Sequence, residues 1–198
     1  MKVIHACIAT MFFLLSLGVI HYIHFSYFRV NVVFYASIGD AAIAVSLAGV
    51  ALFFLAYFRP LSNLEKIQLV IIWLLAGYAF AISIPTVIDR SLSFYILEKL
   101  QQRGGGIRQD NMQDVFVEEY MVEHRLIDVR LTEQLASGTI VIKDGCVKLT
   151  PKGENIASFG RFYRQHFLPK QRLLMGEYTA DLTNPFRQSS NNMNYMCQ

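Results

Sequence analysis

Three long apolar stretches, residues 3–28, 30–58 and 67–88, fill the front of the chain and are separated by short polar joints. About 20 residues at 1.5 Å rise each cross a bilayer, so the pattern predicts three transmembrane helices. The first two stretches are long enough to tilt. The joints hold Arg29 and Asn31, then residues 59–66 with Arg59, Pro60, Glu65 and Lys66. Tyr22, Phe25, Tyr27, Phe28, Phe34, Tyr35, Tyr57 and Phe58 gather at the ends of the stretches, as an interfacial aromatic belt requires. Lys2 followed by an apolar run resembles a secretion signal, but the run is too long, lacks a small-residue cleavage site and is followed by further spans. A retained anchor is expected.

Beyond residue 88 the pattern changes to short amphipathic segments. Ser91 or Ser93 is placed to cap a helix carrying Leu92, Tyr95, Ile96 and Leu100, which Gly104-Gly105-Gly106 ends. No strand precedes these glycines and no Lys-Ser/Thr follows them, so they form a turn and not a phosphate loop. Asp110 or Asn111 opens the next helix, with Val115, Phe116, Tyr120, Val122, Leu126 and Val129 as its apolar positions, and a third helical stretch ends at Ser137-Gly138. Residues 139–150 alternate as a hairpin around Asp144-Gly145, the pair that a type I′ turn favours. Thr150 then caps a last helix that begins at Pro151 and runs through Phe167.

The order of these elements, with residues 130–135 before Ser137-Gly138-Thr139-Ile140 and then Val147-Lys148-Leu149-Thr150-Pro151-Lys152-Gly153, resembles a winged helix over residues 91–168. The expected architecture is therefore a membrane domain of three transmembrane helices (1–88) and a small α+β winged-helix-like domain (89–168). An ordered strap (169–187) and a disordered tail rich in Ser and Asn (188–198) complete the chain. The resemblance implies DNA binding in many relatives, and protein docking in many others.

Composition agrees with a membrane chain: 54 % of residues are apolar and 17 % charged, against about 25 % charged in soluble domains. Only six charged side chains precede residue 89, while the remainder holds 14 basic and 13 acidic groups, a net of +1. The stretch 118–133 carries Glu118, Glu119, Glu123, Asp128 and Glu133 against Arg125 and Arg130. A duplex-binding face needs clustered Lys and Arg, so this charge pattern argues against nucleic acid and for a protein partner, with Arg125 and Arg130 among its contacts. The last helix interleaves Phe159, Phe162, Tyr163 and Phe167 with Arg161 and Arg164, and Lys170 and Arg172 follow. Such a mixture suits a membrane surface, and the aromatics would equally serve as the domain's own core. Cys7, Cys146 and Cys197 are too scattered to suggest a disulfide framework or a zinc site.

Candidate chemistry in the spans centres on Asp40. An acid at mid-helix costs roughly 2.5–3.5 kcal/mol on insertion scales, so it should face protein or a polar cavity. Ala36, Asp40, Ala44 and Ala48 recur every four residues, a small-residue stripe that lets another helix approach closely and that could receive a partner. Asp40 has two readings: a proton or ion relay or counter-charge, or an acid near a helix start that reaches headgroups or caps backbone. His21 and His24, three residues apart at the end of the first span, fall on the same membrane side as Asp40. The three are metal-ligand candidates, although two interfacial histidines are equally ordinary anchors. His5 lies at the far end. Pro85 should kink or end the third span.

Basic residues flanking the spans divide five against four between the two orientations, which decides nothing. The resemblance to a cytoplasmic module tips the soluble part towards the cytoplasm of a bacterial cell. No nucleophile elbow, paired cysteines, His-Glu metal motif or phosphate loop is present, and no cofactor is implied. The expected function is a non-catalytic accessory or scaffolding subunit of a membrane complex, contacting membrane-protein partners and the bilayer. Cell-envelope or polysaccharide synthesis and export would offer such a subunit a home. The alternatives are a membrane-tethered winged-helix regulator and a membrane enzyme with an Asp-based interfacial site.

Overall fold

The computed structural model describes residues 2–186 and 197, and is mostly helical with a small β content. Three helices are long and apolar enough to cross a membrane: α1 (Lys2–Tyr27), α2 (Val33–Phe54) and α3 (Asn63–Ala81), the last continuing through a π turn (Ile82–Thr86) and a final helical turn (Val87–Arg90). Pro85 sits inside the π turn. Its missing N–H and the clash of its ring with the preceding turn explain why the ladder widens there instead of continuing unchanged.

The third span begins four residues before the expected start at 67. Ser62 caps it, its hydroxyl accepting from the Glu65 N–H (3.3 Å) while the Glu65 carboxylate accepts from the Ser62 N–H (2.6 Å). This Ser-x-x-Glu capping box satisfies two orphan donors at once and draws Glu65 and Lys66 into the helix. The joint before it is exposed at Tyr57, Arg59 and Pro60 but anchored by Phe58 and Leu61, which are buried in the bundle core.

α2 is the central helix, with α1 and α3 packed against it. Its buried positions include Ser37, Asp40, Ala41, Ala44, Val45, Ala48 and Leu52. At Gly77 on α3 a side-chain carbon would lie 2.8 Å from the Ala41 Cβ, so this crossing requires glycine. Phe13 and Trp73 stack across α1 and α3 (centroids 5.5 Å apart), and the indole N–H donates to the Thr10 hydroxyl at 3.2 Å. Most other large apolar side chains of α1 and α3 point outward, as lipid-facing residues do.

After the third span, α4 (Leu92–Gln102) starts at Ser91, whose hydroxyl accepts from the Phe94 N–H. Gly104 and Gly105, both at positive φ, close it with N–H bonds to Gln101 and Leu100. α5 comprises Met112–Asp114, a π stretch Val115–Tyr120 and Met121–Glu123, and α6 spans Leu126–Ser137. A two-stranded antiparallel sheet follows, β1 (Ile140–Lys143) with β2 (Cys146–Leu149), paired Ile140 to Leu149 and Lys143 to Cys146 around Asp144-Gly145. Helix α7 (Pro151–His166) comes next. The strap contains a second hairpin, β3 (Arg172–Leu174) and β4 (Glu177–Thr179), that the sequence reading did not anticipate. Met175 and Gly176, at φ 50° and 94°, form its turn, which is the left-handed geometry a two-residue hairpin loop needs.

The chain divides into two compact units, Met1–Val129 and Arg130–Gln198. The expected disordered tail lies outside the described residues, except for Cys197.

Candidate functional site

The antiparallel turn between α1 and α2 puts the last two turns of α1 beside the first turns of α2. His21 and His24, one helical turn apart, therefore both reach Asp40. The His21 Nδ1 lies 2.9 Å from one carboxylate oxygen and the His24 Nδ1 2.6 Å from the other. With Asp40 ionised, both Nδ1 atoms donate, and each oxygen has its own partner. Asp40 is 1 % exposed, whereas the two imidazoles keep 22 % and 33 % of their surface open. Phe25 and Phe80 pack against the His21 ring, and Phe25 and Phe28 against that of His24. A lateral groove of about 360 Å³ opens over this cluster, lined by Ile20, Ile23, His24, Phe28, Asp40 and Ile43.

The cluster ties α1 to α2 at one end of the bundle. A buried carboxylate that accepts two charge-assisted bonds, one at each oxygen, is better tolerated in a membrane than an unpaired one. Among the described residues no group of three or more His, Cys, Asp and Glu is disposed to hold a metal ion. Here the imidazoles contact the carboxylate directly. His5 is elsewhere, with its ring against Tyr57.

The small-residue stripe is used inside the chain. Ala44 and Ala48 are 0 % and 1 % exposed within the core that α1 and α3 build with α2, and Ala36 is half-buried. The face the sequence offers to a partner helix is thus filled by the protein's own helices. What these helices leave open is the large-residue side of α1 and α3.

A second polar cluster holds α4 to α5, and charge counting alone had not revealed it. The Lys99 ammonium reaches Glu119 at 2.6 Å and Glu123 at 2.7 Å, the Tyr95 hydroxyl donates to Glu123 at 3.0 Å, and the Arg103 guanidinium donates to both carboxylate oxygens of Glu119. The two glutamates hold the Lys99 pKa above its ordinary value. Lys99 with Arg103 lowers Glu119, and Lys99 with Tyr95 lowers Glu123. Burial, then Glu123, raises the Tyr95 phenol. Further along, Arg125 pairs with Asp128 at 2.7 Å and Arg130 with Glu133 at 2.9 Å. Much of the acidic run read as a docking face is therefore neutralised within the chain.

In the second unit, residues 137–153 form a compact joint. Thr150 donates its hydroxyl to the Gly138 carbonyl (2.8 Å), accepts from the Gly153 N–H (3.1 Å), and its N–H bonds the Thr139 carbonyl. Lys152 reaches the Ser137 carbonyl at 2.5 Å. A Cβ on Gly153 would sit 2.0 Å from the Thr139 oxygen, so glycine is what lets α7 start against the hairpin. Arg161, Lys170 and Arg172 are exposed, and Arg164 stands over the Phe186 ring at 6.0 Å.

The thiols are not all separate. Cys146, beside the β1–β2 turn, is joined to Cys197 by a disulfide 51 residues long in sequence, while Cys7 is free. Sequence spacing could not reveal the bridge, because a pair this far apart meets only after the chain has folded back.

Comparison with known protein families, curated proteins and solved structures finds no match to this chain.

Proposed function

We propose that this protein is a non-catalytic accessory or scaffolding subunit of a membrane complex. The observation that carries the proposal is the pairing of its one intramembrane acid within the chain. Asp40 spends both oxygens on His21 and His24, as a structural clamp would. An Asp-based enzyme would need an oxygen turned to substrate, and a relay would need a further titratable neighbour beyond the clamp. Because the small residues are consumed internally, partner contacts in the membrane would fall on the large apolar side chains of the outer faces.

The helix–hairpin–helix of α6, β1–β2 and α7 is in keeping with a winged-helix-like docking module. The Leu149-Thr150-Pro151-Lys152-Gly153 run has a packing role that supports the likeness. A tethered DNA reader is less well supported, because the stretch 118–133 carries five acids against two arginines where a duplex-binding face needs clustered Lys and Arg.

A photo-crosslinking residue at Leu15 or Leu75, both exposed on the outer faces of the bundle, tests the proposal in the native membrane. The expected result is one stoichiometric adduct with a distinct membrane protein, lost on gentle overexpression of the unlabelled chain. Adducts with lipid alone at every outward position of α1 and α3 would remove the basis for an accessory role.

A further inference from the structure

The last helix of the second unit presents an apolar surface that its own unit leaves uncovered. On α7 only Gly153 is buried. At 100° per residue, Ile156, Phe159, Phe162, Tyr163 and the C-capping Phe167 share one arc of roughly 140°. Their exposures are 53 %, 64 %, 50 %, 46 % and 65 %. The rings form a continuous strip, since Phe159 meets Tyr163, and Phe167 meets both Tyr163 and Phe162, at centroid distances of 5.2–6.0 Å. The sequence allowed these aromatics to be core or surface, and in the structure they are surface.

Charge and covalent attachment indicate what covers the strip. Residues 151–172 contain Lys152, Arg161, Arg164, Lys170 and Arg172 against Glu154 alone, five minus one, a net of +4. A helix with an aromatic face, a polar face bearing arginine and basic residues at its end has the make-up of one that lies in a membrane interface. The same chain carries three helices long and apolar enough to cross a membrane, so a lipid surface is within reach at the high effective concentration that tethering gives. We propose that the aromatic strip of α7 rests on the anionic lipid surface of the membrane that anchors the chain. Phe159, Phe162, Tyr163 and Phe167 enter the headgroup region, while Arg164 at the flank of the strip and Lys170 and Arg172 beyond the helix end reach lipid phosphates; Arg161, on the opposite face, stays in water.

The test uses the full chain in nanodiscs, with a benzoylphenylalanine in place of Phe159 or Phe162 and, as a control, of Ile142 on the hairpin. Illumination followed by mass analysis reads what is covalently attached. With phosphatidylglycerol present, lipid adducts should form at 159 and 162 well above the level at 142. They should fall several-fold in phosphatidylcholine alone or in high salt, because screening removes the attraction. Each basic residue near the surface contributes about fivefold to association. Replacing Arg164, Lys170 and Arg172 together by Gln should thus bring the adduct yield to that of neutral nanodiscs, whereas Arg161→Gln alone should leave it unchanged. Adducts with a second copy or with the protein's own chain, yields no higher than at 142, or equal yields on neutral and anionic lipid would each overturn the proposal.

Discussion

Removing the carboxylate at Asp40 tests the role assigned to the intramembrane cluster. In Asp40→Ala the Nδ1 donors of His21 and His24 lose acceptors at 2.9 and 2.6 Å. Charge-assisted bonds in soluble proteins contribute about 1.5–3 kcal/mol each. Interhelical bonds in membrane proteins average about 0.6 kcal/mol, with a maximum near 1.7. The membrane figure governs here, because the imidazoles remain 22 % and 33 % exposed and can recover water or headgroup partners. Removing a carboxylate that is 1 % exposed also relieves its desolvation, which offsets part of the loss. The bonds here are short and share one fixed acceptor, so about 1 kcal/mol each is reasonable, and Asp40→Ala should destabilise the bundle by roughly 2 kcal/mol. Trp73, the sole tryptophan, reports the event because it stacks on Phe13 and bonds Thr10 across the α1–α3 contact. Its emission can follow denaturant titration in mixed micelles. The decisive measurement is a cycle with His21→Ala/His24→Ala, in which Asp40→Ala should become nearly neutral. If the carboxylate costs the same to remove with and without the imidazoles, to within about 0.5 kcal/mol, the clamp does not exist as described.

Three further outcomes are expected. Gly153→Ala forces a Cβ to within 2.0 Å of the Thr139 oxygen. Backbone must move, so the 137–153 joint should lose about 1–3 kcal/mol, read as faster amide exchange in β1 and β2; unchanged exchange would contradict the close approach. The α4–α5 contact should depend on pH in a set direction. The lowered Glu119 and Glu123 contribute stability that is full above the ordinary carboxylate range and is lost as pH falls through their depressed values. The raised Lys99 contributes below its ordinary range and loses that contribution as pH rises through its elevated value. Lys99→Met should therefore flatten the acid limb of a tyrosine-fluorescence profile, and a limb left intact would assign it to other groups. Lastly, rapid alkylation in intact cells followed by denaturation should leave one thiol reactive without reductant and three with it, since Cys146 and Cys197 are bridged and Cys7 is free. Three reactive thiols without reductant would show Cys146 and Cys197 unbridged in the cell.

The membrane half was legible from residues alone because lipid imposes one dominant demand, a helix of about 20 apolar residues, and that demand is local. Turn and cap chemistry is local too, which is why Asp144-Gly145, Thr150-Pro151 and the glycine run at 104–106 announced their roles. The capping box at Ser62 and Glu65 was equally local, but polar residues at 62–66 look like a joint until the reciprocal bonds are seen. The β3–β4 hairpin escaped notice because its strands are three residues each and its turn, Met175-Gly176, lacks the usual Asn or Asp.

What only tertiary structure decided is who meets whom. Periodicity placed Asp40, His21 and His24 at one membrane level, yet whether they bind each other, a metal or a partner depends on helix rotation, which sequence spacing does not encode. The same holds for the alanine stripe, which could have faced another protein and instead faces α1 and α3, and for the aromatics of α7, whose period suits a core or a surface alike. A pattern along the chain specifies which face is apolar. What covers that face depends on residues distant in sequence, brought near by packing whose free energy is shared among them all.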